Sequence, residues 1–347
     1  MWRLRVQNPV IASNVIFAKD PRVATFTPLN NGDVRQLLSD YQINDFIAFY
    51  GIKAGSVNSN FAVETASGRF FLRVYEEQDV QGAQTETRML TVLAAGGVHT
   101  PAPVARRDRA FVSQVRGKAA ALFPWQDGRM RCQASVTALD AERVGAALAG
   151  VHVVGERAER QEGRFREADL LGRLDRIAAA TDPVLAAHTG PLRNALTRWC
   201  RARDAGLPRG LIHGDLFRDN VLWNDAAEIA ALLDFESASD GVLAYDLMVT
   251  ILAWCVGDDL DLELAQAMAR GYQSVRRLTD AEKRGLVAEG CIAALRFSIT
   301  RITDYAMRAG VGPRDMKDYR RFLMRLTTLE RIAENAGQEG IALALDL

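Results

Sequence analysis

No stretch of this 347-residue chain approaches the ~18 consecutive apolar residues of a membrane-spanning helix. Its first residues do not have the basic-then-apolar layout of a secretory signal. Neither sign of charge is in excess: 43 Lys and Arg face 43 Asp and Glu. That balance gives no electrostatic footprint for nucleic acid or a membrane surface. The four cysteines, Cys132, Cys200, Cys255 and Cys291, form no C-x-x-C pair and stand mostly in apolar contexts. Buried free thiols in a reducing compartment are therefore expected. Four scattered histidines argue against a dedicated zinc site. No repeat and no low-complexity tract interrupts the chain. What remains is a cytoplasmic globular protein, long enough for two domains or one bilobal unit.

One stretch carries most of the chemistry, Leu211 to Glu236, LIHGDLFRDNVLWNDAAEIAALLDFE. Leu211-Ile212 predicts a short buried strand that delivers His213-Gly214-Asp215 to a loop. Asn220 to Trp223 and Ile229 to Leu233 predict two further strands, a hairpin that brings Asn220 beside Asp234. Phosphoryl transfer from ATP needs one carboxylate at the acceptor hydroxyl and hard oxygen ligands that hold magnesium on the triphosphate. Asp215 suits the first role, Asn220 and Asp234 the second. The spacing matches the kinase pattern H-R-D-x-x-x-x-N, with D-F-E in place of D-F-G. A lone histidine is more often a structural group than a catalyst, so His213 is read as bracing the loop backbone. Asp246, just beyond, is read as a carboxylate that hydrogen-bonds the same loop.

Upstream, Asn31 or Asp33 is expected to cap a helix reaching Tyr41. Asn60 to Thr65 alternates as a strand, Ala66-Ser67-Gly68 turns, and Arg69 to Tyr75 returns. The bend Gly55-Ser56-Val57-Asn58-Ser59-Asn60 has the composition to lay backbone N–H groups over phosphates, although any hairpin uses such residues. Arg73 shares a strand face with Phe71 and Tyr75. Its acidic partner is expected to be Glu86, at the start of a helix that Gly96-Gly97 ends. Phe111–Val115 and Ala119–Phe123 form another hairpin, and Phe123 to Gly128 reads as a hinge.

Beyond Thr137 the pattern is mostly helical, with Val144, Ala147, Leu148 and Val151 on one apolar face. Residues Glu156 to Arg173 look solvated. Thr279-Asp280-Ala281-Glu282 is a capping box that opens a long helix expected to stop near Gly310. A last helix is expected from about Met316 to Asn335. The order of elements predicts an α+β bilobal architecture. Residues 1–25 form an extension, 26–125 a β-rich lobe with one helix, and 126–347 a helical lobe, with ATP in the cleft.

His213-Gly-Asp-Leu-Phe-Arg-Asp-Asn-Val-Leu and Leu233-Asp-Phe-Glu236 resemble the aminoglycoside phosphotransferase and choline kinase-like superfamily, a branch of the protein-kinase fold. Gly55-Ser-Val-Asn-Ser-Asn-Phe61, Gly68 to Glu76 and Ala294-Leu-Arg-Phe297 resemble homoserine kinases of the type II class within it. The resemblance covers roughly Phe26 to Asn335. It implies Asp215 as catalytic base, Asn220 and Asp234 as Mg2+ ligands, and Gly55 to Asn60 over the phosphates of ATP. Arg73 departs from the lysine many members carry there; the charge is kept, as a planar fork rather than a point charge. The implied acceptor is L-homoserine, a zwitterion whose carboxylate needs a cation and whose ammonium needs an acid. Arg296, Arg301 and Asp304 on the long helix are the candidates. Two alternatives stand beside this reading. One is a kinase for another small alcohol or an aminoglycoside; choline would call on an aromatic cage, for which Trp223, Tyr245 and Trp254 are available. The other is a nucleotide-binding protein without transfer activity.

Overall fold

A computed structural model of the protein describes residues 27–52, 57–308 and 317–347. The expected extension 1–25 lies outside the described residues, as do Gly55, Ser56, Gly310 and Met316. The chain divides into two compact units. One runs up to Thr87 and takes in Pro103–Trp125; the other is Arg88–Ala102 with Gln126–Leu347.

In the first unit, α1 (Asn31–Asp40) is capped by Asn30, whose side chain accepts from the N–H of Asp33 while Asp33 reaches back to the N–H of Asn30. Asp33 is thus the third helical residue of a capping box rather than the cap. Strands β1 (Phe46–Ile52), β2 (Ser59–Thr65) and β3 (Gly68–Val74) follow, then α2 (Val80–Ala95), β4 (Val112–Val115) and β5 (Lys118–Pro124). They form one antiparallel sheet in the order β1-β2-β3-β5-β4. The period of two along β3 sends Phe70, Leu72 and Val74 into a core with Val34, Leu37 and Leu38 of α1 and Leu122 of β5. Each fully buried leucine of this kind contributes about 1.5–3 kcal/mol. Helix α2 begins at Val80, not at Glu86. Asp79, whose carboxylate accepts from the N–H of Gly82, caps it earlier than the hydrophobic spacing suggests.

The second unit is chiefly helical. It contains α3 (Ala138–Gly155), α4 (Glu167–Ala178), α5 (Pro183–Ala187), α6 (Thr189–Ala202), β6 (Arg209–Ile212), β7 (Val221–Trp223), β8 (Ile229–Leu232) and β9 (Ser239–Val242). Then come α7 (Leu243–Trp254), α8 (Leu262–Val275), α9 (Asp280–Asp304), α10 (Arg320–Ala336) and α11 (Gly340–Ala344). Helices α7 and α9 are buried on nearly every side and form the centre. Helices α3 and α8 cross at glycines: a Cβ on Gly145 would meet the carbonyl oxygen of Met268 at 2.0 Å, and one on Gly271 that of Glu142 at 1.9 Å. The capping box at Thr279 and Glu282 opens α9 as the sequence predicts.

Several expectations are corrected. The stretch expected to be solvated yields α4, because Leu170, Leu174 and Ile177 keep helical spacing between the charges and are buried. Helix α9 ends at Asp304, short of Gly310, and α10 starts at Arg320. Of the cysteines, Cys255 and Cys291 are buried, but Cys132 is exposed and Cys200 half-buried. The α+β class itself holds, an antiparallel sheet followed by a helical remainder. Among the described residues, no helix is long and apolar enough to cross a membrane.

Candidate active site

Strand β6 pairs antiparallel with β9 and ends at Ile212, which projects His213-Gly214-Asp215 as a loop. The loop is held from below by Asp246, in the first turn of α7 and fully buried. Its carboxylate accepts the N–H of His213 at 2.6 Å and of Gly214 at 2.7 Å. Gly214 has φ +73°, and a Cβ there would meet the carbonyl oxygen of Ser237 at 2.9 Å, so no other residue fits this turn without strain. The imidazole of His213 accepts the N–H of Asp215 at Nδ1, 3.3 Å, and therefore donates from Nε2 to the carbonyl of Leu233, 3.0 Å. The ring thus clamps the loop to the end of β8. The indole of Trp254 donates to the carbonyl of Leu216, 2.9 Å, and fastens the far side of the loop.

Asp246 is itself held by a second buried histidine. His152 Nε2 lies 3.0 Å from Asp246 and its Nδ1 2.7 Å from the hydroxyl of Tyr272. Arg276 donates to that hydroxyl and to Glu282. Burial alone would raise the pKa of Asp246. The hydrogen bonds from His152 and the Gly214 N–H outweigh it and hold the carboxyl below its ordinary value, so the brace stays ionised.

The β7–β8 hairpin pairs Val221 with Leu232, and the N–H of Leu233 donates to the carbonyl of Asn220 at 2.8 Å. The backbones of Asn220 and Asp234 are thereby neighbours. The amide nitrogen of Asn220 is taken by the carbonyl of Asp215, 2.8 Å, which leaves the amide oxygen as the atom that could face a cation. Asp234 adopts a left-handed conformation, φ 61° and ψ 63°, an uncommon state for a non-glycine residue that re-aims its side chain at the end of β8. Among the described residues no group of three His, Cys, Asp or Glu gathers as a metal cage. Two oxygen ligands from the protein are what a magnesium ion shared with phosphates requires.

Asp215 is half-buried, and one carboxylate oxygen lies 3.3 Å from Nη1 of Arg296. Arg296 is 4% exposed, with its guanidinium carbon 4.0 Å from the ring centre of Phe165 and 3.8 Å from that of Phe297. Arg301, farther along α9, donates to the carbonyl of Asp318 at 3.0 Å and lies over Phe322. Asp304 is held by Arg173 of α4 at 2.6 Å. Trp223 and Trp254 are 2% and 0% exposed and pack edge to face, as core rather than cage.

In the first unit, Arg73 lies opposite Asn60 on β2 and Ala121 on β5 and is buried rather than on a half-exposed face. Its guanidinium lies 3.0 Å from Glu86, which also accepts from Tyr75 at 3.2 Å. Asn58 accepts the N–H of Glu76 at 3.1 Å, and Ser59 donates to the Glu76 carboxylate at 2.5 Å. Those two side chains fasten the strand ends, so what Asn58–Asn60 can offer a phosphate is chiefly backbone N–H groups.

The model of the phosphotransferase enzyme family matches residues 50–283. The chain belongs to that family. Homoserine kinase of Caulobacter sp. (strain K31) is 34% identical over 311 residues, 87% of this chain and 96% of that protein. Homoserine kinase of Gluconacetobacter diazotrophicus is 35% identical over 327 residues, 92% of this chain and 100% of that one. Among solved structures, an amicoumacin kinase in complex with AMP-PNP, Ca2+ and Ami aligns with a TM-score of 0.64 at 13% identity, over 89% of this chain and 95% of that one. At that identity the likeness shows the fold alone.

Three features near these residues escaped the sequence reading: Phe165 over Arg296, the Tyr272–Arg276 link that joins His152 behind Asp246, and Arg325 beside Phe322. Each lies on a different helix or loop from the motif it serves. For the second, the sequence offers His152 beside the apolar stripe of Val144, Ala147, Leu148 and Val151, a structural histidine by its setting.

Proposed function

We propose that the chain is a homoserine kinase, transferring the γ-phosphoryl of ATP to the side-chain hydroxyl of L-homoserine to give ADP and O-phospho-L-homoserine. The observation that carries it is a braced loop presenting Asp215 beside Asn220 and Asp234, in a chain about a third identical to curated homoserine kinases over nearly their full length. Bound ATP and magnesium supply the phosphoryl group and the cation that offsets its charge. Asp215 accepts a hydrogen bond from the acceptor hydroxyl, aims its oxygen and takes its proton late. The amide oxygen of Asn220 and the carboxylate of Asp234 are the hard ligands for the divalent ion. Arg73, fixed by Glu86, contacts the triphosphate, and the backbone of Asn58–Asn60 covers it. Arg301 serves the acceptor carboxylate, and Arg296, tethered to Asp215, adds its charge from the side of the base. Asp304 is occupied by Arg173, and this pocket does not call on it.

The test is ADP release with magnesium and ATP against L-homoserine, L-serine, L-threonine, choline, ethanolamine and kanamycin. A saturable preference for L-homoserine supports the proposal. Turnover with another alcohol and none with homoserine keeps the Asp215 mechanism and discards the acceptor.

A further inference from the structure

Partly or fully buried arginines in the second unit mostly meet a carboxylate. Arg203 pairs with Glu289 at 2.5 Å, Arg276 with Glu282 at 2.8 Å, and Arg296 with Asp215 at 3.3 Å. Around Phe322, on α10, the pattern fails. The guanidinium carbons of Arg301 and Arg325 lie 4.5 and 4.2 Å from the centre of that one ring. Phe297 stacks on the ring at 4.8 Å. Arg325 is 9% exposed, and its Nε has no hydrogen-bond partner among the described residues. The acceptors of Arg301 and of the neighbouring Arg218 are neutral carbonyls, of Asp318 and Ala253. Asp219, next to Arg218 in the chain, lies 3.8 Å from Lys317. Among the described residues, none of Arg218, Arg301 and Arg325 forms an ion pair. Burial first, and then the fields of Arg301, Arg218 and Arg321, push the pKa of Arg325 down to about 9. Burial pushes Arg301 down to about 10, although Asp215 pulls the other way. A buried charge without a counter-charge is costly. Arg325 is buried and Arg301 half-buried on that one ring, Arg301 within the field of Asp215, and an anion arriving from outside would supply the counter-charge both lack among the described residues.

We propose that Arg325 and Arg301, on the platform of Phe322, form the seat for the carboxylate of the acceptor. This rests on the reading of the chain as a kinase whose acceptor hydroxyl is held at Asp215. A carboxylate is planar and suits guanidinium forks. Arg296 is already drawn to Asp215, and Arg325 supplies the second unengaged cation that the sequence did not reveal.

The test compares kcat/KM for L-homoserine with that for 3-amino-1-propanol, which is homoserine without its carboxylate, in the wild type and in Arg325→Gln and Arg301→Gln. The expected wild-type ratio is on the order of 10² or more, because a site built for a polar group rejects the analogue without it. Each variant is expected to shrink that ratio by about tenfold, through the KM for homoserine. Thermal melting of Arg325→Met separates this role from a structural one. An arginine holding the fold together lowers the melting temperature when removed, whereas this one leaves it unchanged or raised. A ratio unchanged in Arg325→Gln overturns the seat while leaving homoserine as the acceptor. So does a rise confined to the KM for ATP, which assigns the cluster to nucleotide phosphate. If homoserine is inert but 4-hydroxybutanoate or L-serine is phosphorylated, with its preference over the carboxylate-free alcohol shrunk in Arg325→Gln, the seat stands and the homoserine reading falls. Transfer only to alcohols without a carboxylate, equally fast in Arg325→Gln, removes both.

Discussion

Two kinds of arginine stand a few turns apart in the helical unit. Arg203 and Arg276 each meet a fully buried carboxylate, Glu289 and Glu282. Arg301 and Arg325 share a phenylalanine ring and, among the described residues, meet no carboxylate. Withdrawing a guanidinium from water costs solvation in both places. Only the first kind recovers it within the chain, and Glu289 shows the margin: burial raises its pKa even with Arg203 beside it. Matched charges fix helix against helix, while surplus charges are tolerated where a ligand completes them. Asp215 stands between the two kinds, loosely paired to Arg296 and open enough to meet a substrate.

The comparison breaks most sharply at Asp215. Asp215→Asn is expected to lower turnover by about 10²–10⁴-fold while the melting temperature and nucleotide binding hold. ADP release and calorimetric nucleotide titration check this, and near-normal turnover would sink the assignment of the base. Next comes the matched side. Arg203→Met leaves Glu289 buried alone and is expected to cost about 3–5 kcal/mol in denaturant unfolding. Adding Glu289→Leu should recover most of it; if the double variant stays as unstable as the single, the pair is not the unit of stability. The smallest effect is at Asp246. Its folded pKa lies below its ordinary 3.8, so the ionised carboxylate stabilises the fold at all pH above that value. The contribution is lost as pH falls through the folded value. The stability gap between wild type and Asp246→Asn should therefore be constant above 3.8 and close below it; a gap that persists in acid would mean the shift has the opposite sign.

Much of the catalytic loop was legible because its parts are close in sequence. Leu211 to Asp234 is one strand end, one loop and one hairpin, and the apolar runs Val221–Trp223 and Ile229–Leu232 on either side of a turn bring Asn220 beside Asp234. The cap at Thr279 was legible for the same reason, as was the pairing of Arg73 with Glu86 from strand face and helix phase. The misreadings share a cause of the opposite kind. Helix α4 was hidden by its charged surface, although three apolar residues at helical spacing were enough to bury it. Cys132 was placed inside from its neighbours' composition, and its turn puts it outside.

By itself, the sequence determined the fold class, the grouping of Asp215, Asn220 and Asp234 around one loop and hairpin, and a neutral charge balance. These are properties of local pattern: period, spacing and residue type within a strand, turn or helix. Only the tertiary structure decided which charges are matched. Arg325 and Arg301 come from different helices and Glu289 and Arg203 from elements far apart in the chain, so the sequence does not state which guanidinium finds a carboxylate and which waits for one. Solvation cost depends on what surrounds a charge in space, and that is set by packing, long after residue type has been chosen.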